Sequence, residues 1–236
     1  TTKVAFTGST EVGKIIMRSL AGTEKKLTLE LGGKAANIVF DDAPLDQAVE
    51  GIVNGIFFNQ GHVCCAGSRL LVQESIADEV LAKLKRRIAT LRVGDPLDKN
   101  TDLGAINSAE QLAKITDLVK SGVEEGAEKH DNGCKLPTKG FFFRPTIFAN
   151  VSMSHRIARE EIFGPVLSIL TFRTLEEAVE KNYLGDTVSA TAKENRKTIM
   201  KKLAAEIMTR LATVNNIPKI ATLAQEELRN KDIMLF

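Results

Sequence analysis

An α/β fold built on parallel strands is what the sequence predicts. Three observations carry that expectation: strand-length apolar runs alternate with stretches of helical period, glycine-containing turns separate them, and 43% of the 236 residues are apolar, enough for a substantial core. The first strand is Val4-Ala5-Phe6, closed by Thr7-Gly8-Ser9-Thr10. A helix follows, with Val12, Ile15, Ile16 and Leu20 on one stripe. Leu27-Thr28-Leu29-Glu30-Leu31 reads as a second strand broken by Gly32-Gly33, and Asn37-Ile38-Val39-Phe40 as a third. Residues 45–58 repeat apolar positions at three and four, with Pro44 at the entry where a helix start favours it. Residues 69–72 form a strand candidate, 76–91 an amphipathic helix stopped by Gly94-Asp95-Pro96, and 109–125 a helix closed by Gly126. The polar stretch 130–140, with its glycines and Pro137, is expected to be a surface loop, flanked by strands around Phe142 and over 166–172. Helices are expected to begin at Glu176 and to span 197–211. Residues 217–236 carry only a weak helical pattern and end in Ile233-Met234-Leu235-Phe236.

Charge and composition exclude several classes of function. Thirty-two basic and thirty acidic residues leave a net charge of +2, interspersed along the chain, so no strong field for nucleic acid or an anionic membrane exists. No apolar run approaches the ~20 residues of a spanning helix, and residues 1–9 lack the regions of a signal peptide. A cytoplasmic protein without nucleic-acid or membrane partners is expected. The 3 cysteines, two of them adjacent, make a poor disulfide framework and fit a reducing compartment. No metal-ligand spacing is apparent.

The segment Gly61-His62-Val63-Cys64-Cys65-Ala66-Gly67 places cysteines between a helix and a strand, bounded by glycines. A thiol exposed there, near a helix N-terminus or a cation, becomes a nucleophile; two small core residues are the alternative on spacing alone. Glu30 stands in an otherwise apolar strand just before two glycines. Partial desolvation would make its carboxylate a general base, whereas an edge strand would simply turn it to water.

Four separated motifs give these residues a context: Phe6-Thr7-Gly8-Ser9-Thr10-Glu11-Val12-Gly13, Leu29-Glu30-Leu31-Gly32-Gly33-Lys34, Phe57-Phe58-Asn59-Gln60-Gly61-His62-Val63-Cys64 and Glu160-Glu161-Ile162-Phe163-Gly164-Pro165-Val166. In this order they resemble the aldehyde dehydrogenase superfamily, over residues 4 to about 179. The resemblance implies a parallel-sheet catalytic domain over residues 34–216, preceded by the last part of a Rossmann-like dinucleotide domain over 1–33 and followed by a diverged segment, 217–236. It also implies oxidation of an aldehyde to a carboxylic acid with NAD or NADP. Cys64, third after Gly61, matches the nucleophile that forms a thiohemiacetal and then, after hydride transfer, a thioester. Glu30 matches the base that activates water for hydrolysis. Gly8, Ser9 and Gly13 match the turn beside the dinucleotide phosphates, Glu161 the carboxylate at the nicotinamide ribose, and Phe163 the aromatic near the nicotinamide. A homo-oligomer is implied for the full-length form.

Three departures from the family stand out. Position 62 is His where Gln is common. The chain begins where the family's dinucleotide domain is more than half complete, so the asparagine of the oxyanion hole and the lysine at the adenine ribose have no counterpart. Loss of one oxyanion donor typically costs ~10²–10³ in rate, so poor activity is expected of this chain alone. Beyond Lys181 the family pattern fades, starting with Asn182-Tyr183-Leu184-Gly185-Asp186. A truncated or degenerate family member with a structural role, and a cofactor-free thiol esterase using Cys64 and Glu30, are the rival readings.

Overall fold

A computed structural model describes residues 1–183; the helix expected over 197–211 and the segment 217–236 lie outside the described residues. Two compact units divide the chain, Thr1–Thr174 and Leu175–Phe236. The first unit contains two sheets. Strand β1 (Lys3–Gly8) and strand β2 (Lys26–Leu31) pair in parallel as a sheet of their own, joined by helix α1 (Thr10–Leu20). The second sheet has five strands in the order β3-β4-β7-β6-β5: β3 (Ala36–Val39), β4 (Arg69–Gln73), β7 (Val166–Phe172), β6 (Thr146–Ala149) and β5 (Glu128–Asp131). Every pairing in it is parallel except β5 with β6.

Strand β4 is fully buried over Arg69–Val72 and strand β7 nearly so, which explains why both read as continuous apolar runs rather than alternating ones. Side chains still alternate between faces. Leu70, Val72, Leu167, Ile169 and Ile147 join one core with helix α2 (Leu45–Phe57) and helix α3 (Ala77–Ile88), which contribute Ile52, Ile56, Leu84 and Ile88. The ion pairs Lys83–Asp46 at 2.6 Å and Arg87–Glu50 at 2.8 Å tie α3 to α2. Phe148 and Ser168 point to the other face, where helix α4 (Ala109–Glu124) and the short helix α5 (Arg156–Arg159) lie; Ser168 Oγ donates to the Ile157 carbonyl at 2.9 Å. The five-stranded sheet is thus sandwiched between helices, as parallel sheets require. The second unit opens with helix α6 (Leu175–Tyr183), which carries a Lys181–Glu177 pair at 2.6 Å.

Most expected elements lie within two residues of their observed bounds; two expectations need correction. No strand runs through Phe142. Pro145 has no N–H to give a ladder, and the strand begins at Thr146, whose N–H donates to the Pro165 carbonyl at 2.9 Å. Phe142 instead packs half-buried on the core. The expected loop over 130–140 begins within β5, a polar edge strand, and its Cys134 and Leu136 also pack on the core rather than standing in solvent.

Candidate active site

The segment carrying Cys64 is held by a strained turn. Asn59 and Gln60 adopt left-handed backbone, φ 49° and 56°, and Gly61 follows at φ 73°. Asn and Gly take that region at small cost, whereas Gln does not, so Gln60 must be fixed from outside. Its side chain does this, accepting the Gly104 N–H at 2.9 Å and donating to the Ala105 carbonyl at 3.4 Å. A Cβ on Gly61 would run into the Gly164 carbonyl, so the turn lies directly against the segment that carries Glu161 and Phe163. Beyond the turn Cys64 and Cys65 are both exposed, which excludes the reading of two small core residues.

At the start of α1 the hydroxyl of Ser9 accepts the Val12 N–H at 3.3 Å, and the Glu11 carboxyl, bonded to its own backbone N–H and to Ser9, is held below the usual carboxylate range. This reciprocal cap points the free N–H groups of an eleven-residue helix outward beside Gly8. Gly13 has a different place. It is buried against β2, where a Cβ would sit 2.6 Å from Leu31 Cδ2, so its absence of a side chain lets α1 pack close to the sheet.

Glu161 and Phe163 follow α5 on a clamped loop. Arg156 bonds both carboxylate oxygens of Glu160, at 2.8 and 3.2 Å, and reaches Asp117 of α4 at 3.2 Å; these bonds hold the Glu160 carboxyl low. Gln111 of α4 donates from one amide nitrogen to the Ile162 and Phe163 carbonyls, both at 2.9 Å. That grip fixes Phe163 in a left-handed conformation, φ 53°. The Glu161 carboxylate crosses to the link between the two sheets, where it accepts the Gly33 N–H at 3.4 Å and fills the space a Cβ on Gly32 would need. Nearby, the Lys34 amine is enclosed with no hydrogen-bond partner among the described residues. Burial pushes it down to about 7, helped by Arg69 and opposed by Glu161.

A cavity of about 440 Å³ opens between these segments. Six of the seven residues singled out from the sequence line it, namely Gly8, Ser9, Glu30, Cys64, Glu161 and Phe163; Gly13 does not. Glu30 is exposed there, the second of the two alternatives its place in the strand left open. Sequence reasoning missed Asn107, just ahead of the Ser108 cap, and Gln111 and Lys114 in the first turns of α4, which line the same cavity. Their only sequence signal is a polar stripe at i and i+3 on an amphipathic helix, identical to that of an ordinary solvated face. Among the described residues no group of three or more His, Cys, Asp or Glu could hold a metal ion, and no helix is long and apolar enough to cross a membrane.

Comparison with known proteins gives this arrangement its relatives. The profile of the aldehyde dehydrogenase family matches residues 1–219. Retinal dehydrogenase 2 of Taeniopygia guttata is 50% identical over 180 residues, which cover 76% of this chain and 35% of that protein. The crystal structure of an NAD-dependent aldehyde dehydrogenase from Sinorhizobium meliloti superposes with a TM-score of 0.75 at 44% identity, covering 78% of this chain and 37% of that one. A betaine aldehyde dehydrogenase from Staphylococcus aureus, solved in complex with NAD+, gives 0.74 at 39% identity, with 78% and 37% covered. The chain therefore spans little more than a third of the length of these relatives, 35% to 37%. A profile that runs through both sheets, together with a shared fold at these identities, means that the chain belongs to the aldehyde dehydrogenase family.

Proposed function

We propose that this chain carries the reacting thiol, the water-activating carboxylate and part of the dinucleotide surface of an NAD(P)-dependent aldehyde dehydrogenase. The observation that carries the reading is the convergence of Cys64, Glu30, Glu161 and Phe163, from three distant segments, on one cavity beside the N-terminus of α1. In this reading residues 1–33 belong to a dinucleotide domain and the following residues to the catalytic domain, and the full-length protein is a homo-oligomer acting on a small-molecule aldehyde.

The cavity fits the nicotinamide half of such a cofactor. The N–H groups at the start of α1, next to the small residues Gly8 and Ser9, suit phosphate oxygens. The Glu161 carboxylate, the Gln111 amide oxygen and the Lys114 amine suit ribose hydroxyls, and the Phe163 ring offers a flat apolar wall. Bound NAD(P) would supply the two-electron acceptor. The residues of the chain do the remainder. Cys64 Sγ, as thiolate, attacks the aldehyde carbon, forming a C–S bond and a thiohemiacetal. Once that adduct is oxidised to a thioester, Glu30 takes a proton from water as the water oxygen attacks the acyl carbon; the C–S bond breaks, the acid leaves and Cys64 is restored. An exposed Glu30 suits this role in one respect, because water reaches it freely.

Aldehyde-dependent formation of reduced cofactor, compared between the chain and its Cys64→Ala and Glu30→Gln variants, tests the reading. Slow turnover that Cys64→Ala abolishes is expected. The shared exposure of Cys64 and Glu30 in one cavity also favours a second activity, hydrolysis of activated esters without cofactor. Ester turnover that needs Cys64, with no reduced cofactor formed from any aldehyde, would replace the first reading by this one.

A further inference from the structure

His62 stands two residues before Cys64, and its ring packs against Phe163. The imidazole lies 5.2 Å from the Phe163 ring, centroid to centroid, with the planes tilted by 32°. Its Nε2 is buried without a hydrogen-bond partner among the described residues, while Cys64 is exposed, so the two do not form a thiolate–imidazolium pair. Phe163 lines the cavity and its backbone is pinned by Gln111, yet neither constraint fixes the ring, whose rotation about its side-chain bonds remains free unless something stands behind it. His62 is what stands there.

We propose that His62 is the positioning residue for Phe163: as a neutral imidazole it backs the Phe163 ring against the cavity, and on gaining a proton it withdraws and lets that ring go. Two effects decide between staying and withdrawing. A charged imidazole is attracted to the face of the Phe163 ring, but an N–H at its enclosed Nε2 gives up water and finds no acceptor in exchange, whereas the part-exposed ring regains water by swinging out. The enclosed Nε2 has no acceptor to receive a second proton, so the second effect wins. Burial is also what holds the His62 ring below its ordinary titration range, and it acts alone. Glu160 and Glu161 on the facing loop, Lys114 of α4, and Cys64 and Cys65 on its own segment contribute nothing to it. The structural consequence stands on the ring contact; the consequence for ligand grip rests on the nicotinamide reading of the cavity.

The chain contains no tryptophan, so Phe163→Trp creates a single reporter at the contact. A protonated imidazole quenches indole emission. In the full 236-residue chain carrying Phe163→Trp, emission is expected to change with pH at a midpoint below about 6.5, and this transition is expected to vanish when His62→Phe is added. The same pH profile with and without His62 overturns the proposal. If the tryptophan variant does not fold, ring NMR of the 3 histidines decides, with His62→Gln as the assignment. His62 should titrate below the ordinary histidine value of about 6.5, and Phe163→Ala should raise it; titration unaffected by Phe163 overturns the proposal. Calorimetric titration with NAD then separates this inference from the functional reading. The unaltered chain should lose about tenfold in affinity between pH about 7.5 and about 5.5, and His62→Phe less than about twofold. Absence of binding at either pH counts against the nicotinamide reading, while the fluorescence and NMR results still decide the ring contact.

Discussion

Cys64 and Cys65 are both exposed, but only Cys64 lines the cavity, and Cys134 is half-buried on the core. Iodoacetamide at neutral pH is therefore expected to alkylate Cys64 first, as read by peptide mass mapping; prior modification of Cys134 would refute the assignment. Lys34 supports a second prediction at this scale. Its ordinary value of 10.5 drops to about 7 in the folded chain, so between those values the unfolded chain holds a proton that the folded chain does not. Stability must then rise with pH across that window, and the full penalty is present below 7. Lys34→Met keeps the stem and removes the enclosed amine. It is expected to stabilise the chain by about 1–3 kcal/mol at neutral pH and to flatten the rise, as read from urea midpoints over a pH series. Much of the site was legible at this scale, because the cysteine, the Glu-Leu-Gly-Gly run and the Glu-Ile-Phe-Gly-Pro run are rare combinations. The His62 contact with Phe163 was not, since a hundred residues separate them and neither carries a signal for the other. Lys34 escaped notice for a related reason: a lysine after two glycines reads as surface, and only the closed structure shows where its amine goes.

Among the elements, those with strong periodicity were readable and those defined by their neighbours were not. Helix α4 came through with its Ser108 cap accepting the Gln111 N–H at 3.1 Å, a bond that the Ser-x-x pattern anticipates. Strand β5, Glu-Lys-His-Asp, has no apolar residue to announce it; it exists because β6 offers a free edge, and polar side chains on that edge guard against further pairing. The run of three phenylalanines before Arg144 suggested a strand, yet Gly140 and Pro145 bracket it and keep it irregular. Packing between α4, α5 and β6 is tight enough to predict a response. A Cβ on Gly122 would lie 2.8 Å from Ile157 Cδ1 and 3.1 Å from Phe148 Cε1, both buried side chains. Gly122→Ala gains some helix propensity but overpacks this contact, and a net loss of about 1–3 kcal/mol is expected in denaturant unfolding. Because Arg156 and the Glu161 loop hang from the same contact, the variant is also expected to alkylate Cys64 at an altered rate.

At the scale of the whole molecule, the small sheet of β1 and β2 is the exposed part. Val12 is 41% and Ile15 58% exposed one turn apart on α1, and Met17 is 50% exposed on another side of the same helix. Self-association at micromolar concentration is expected, measurable by light scattering, and charged substitutions at Ile15 and Met17 should reduce it. Affinity for NAD is expected to be weak, because one cavity of about 440 Å³ offers contacts to only part of a dinucleotide. The contact of Glu161 with the Gly32-Gly33 link has a kinetic corollary. That carboxylate is a latch on the link between the two sheets, and a hydroxyl-bearing ligand that draws on its Oε1 competes with the Gly33 N–H, bonded at 3.4 Å. Capture then proceeds in two stages, a rapid encounter at the rim and a slower exchange at the latch. The observed association rate should level off as ligand concentration rises instead of climbing in proportion, at a ceiling set by how often the Glu161 contact with Gly33 opens.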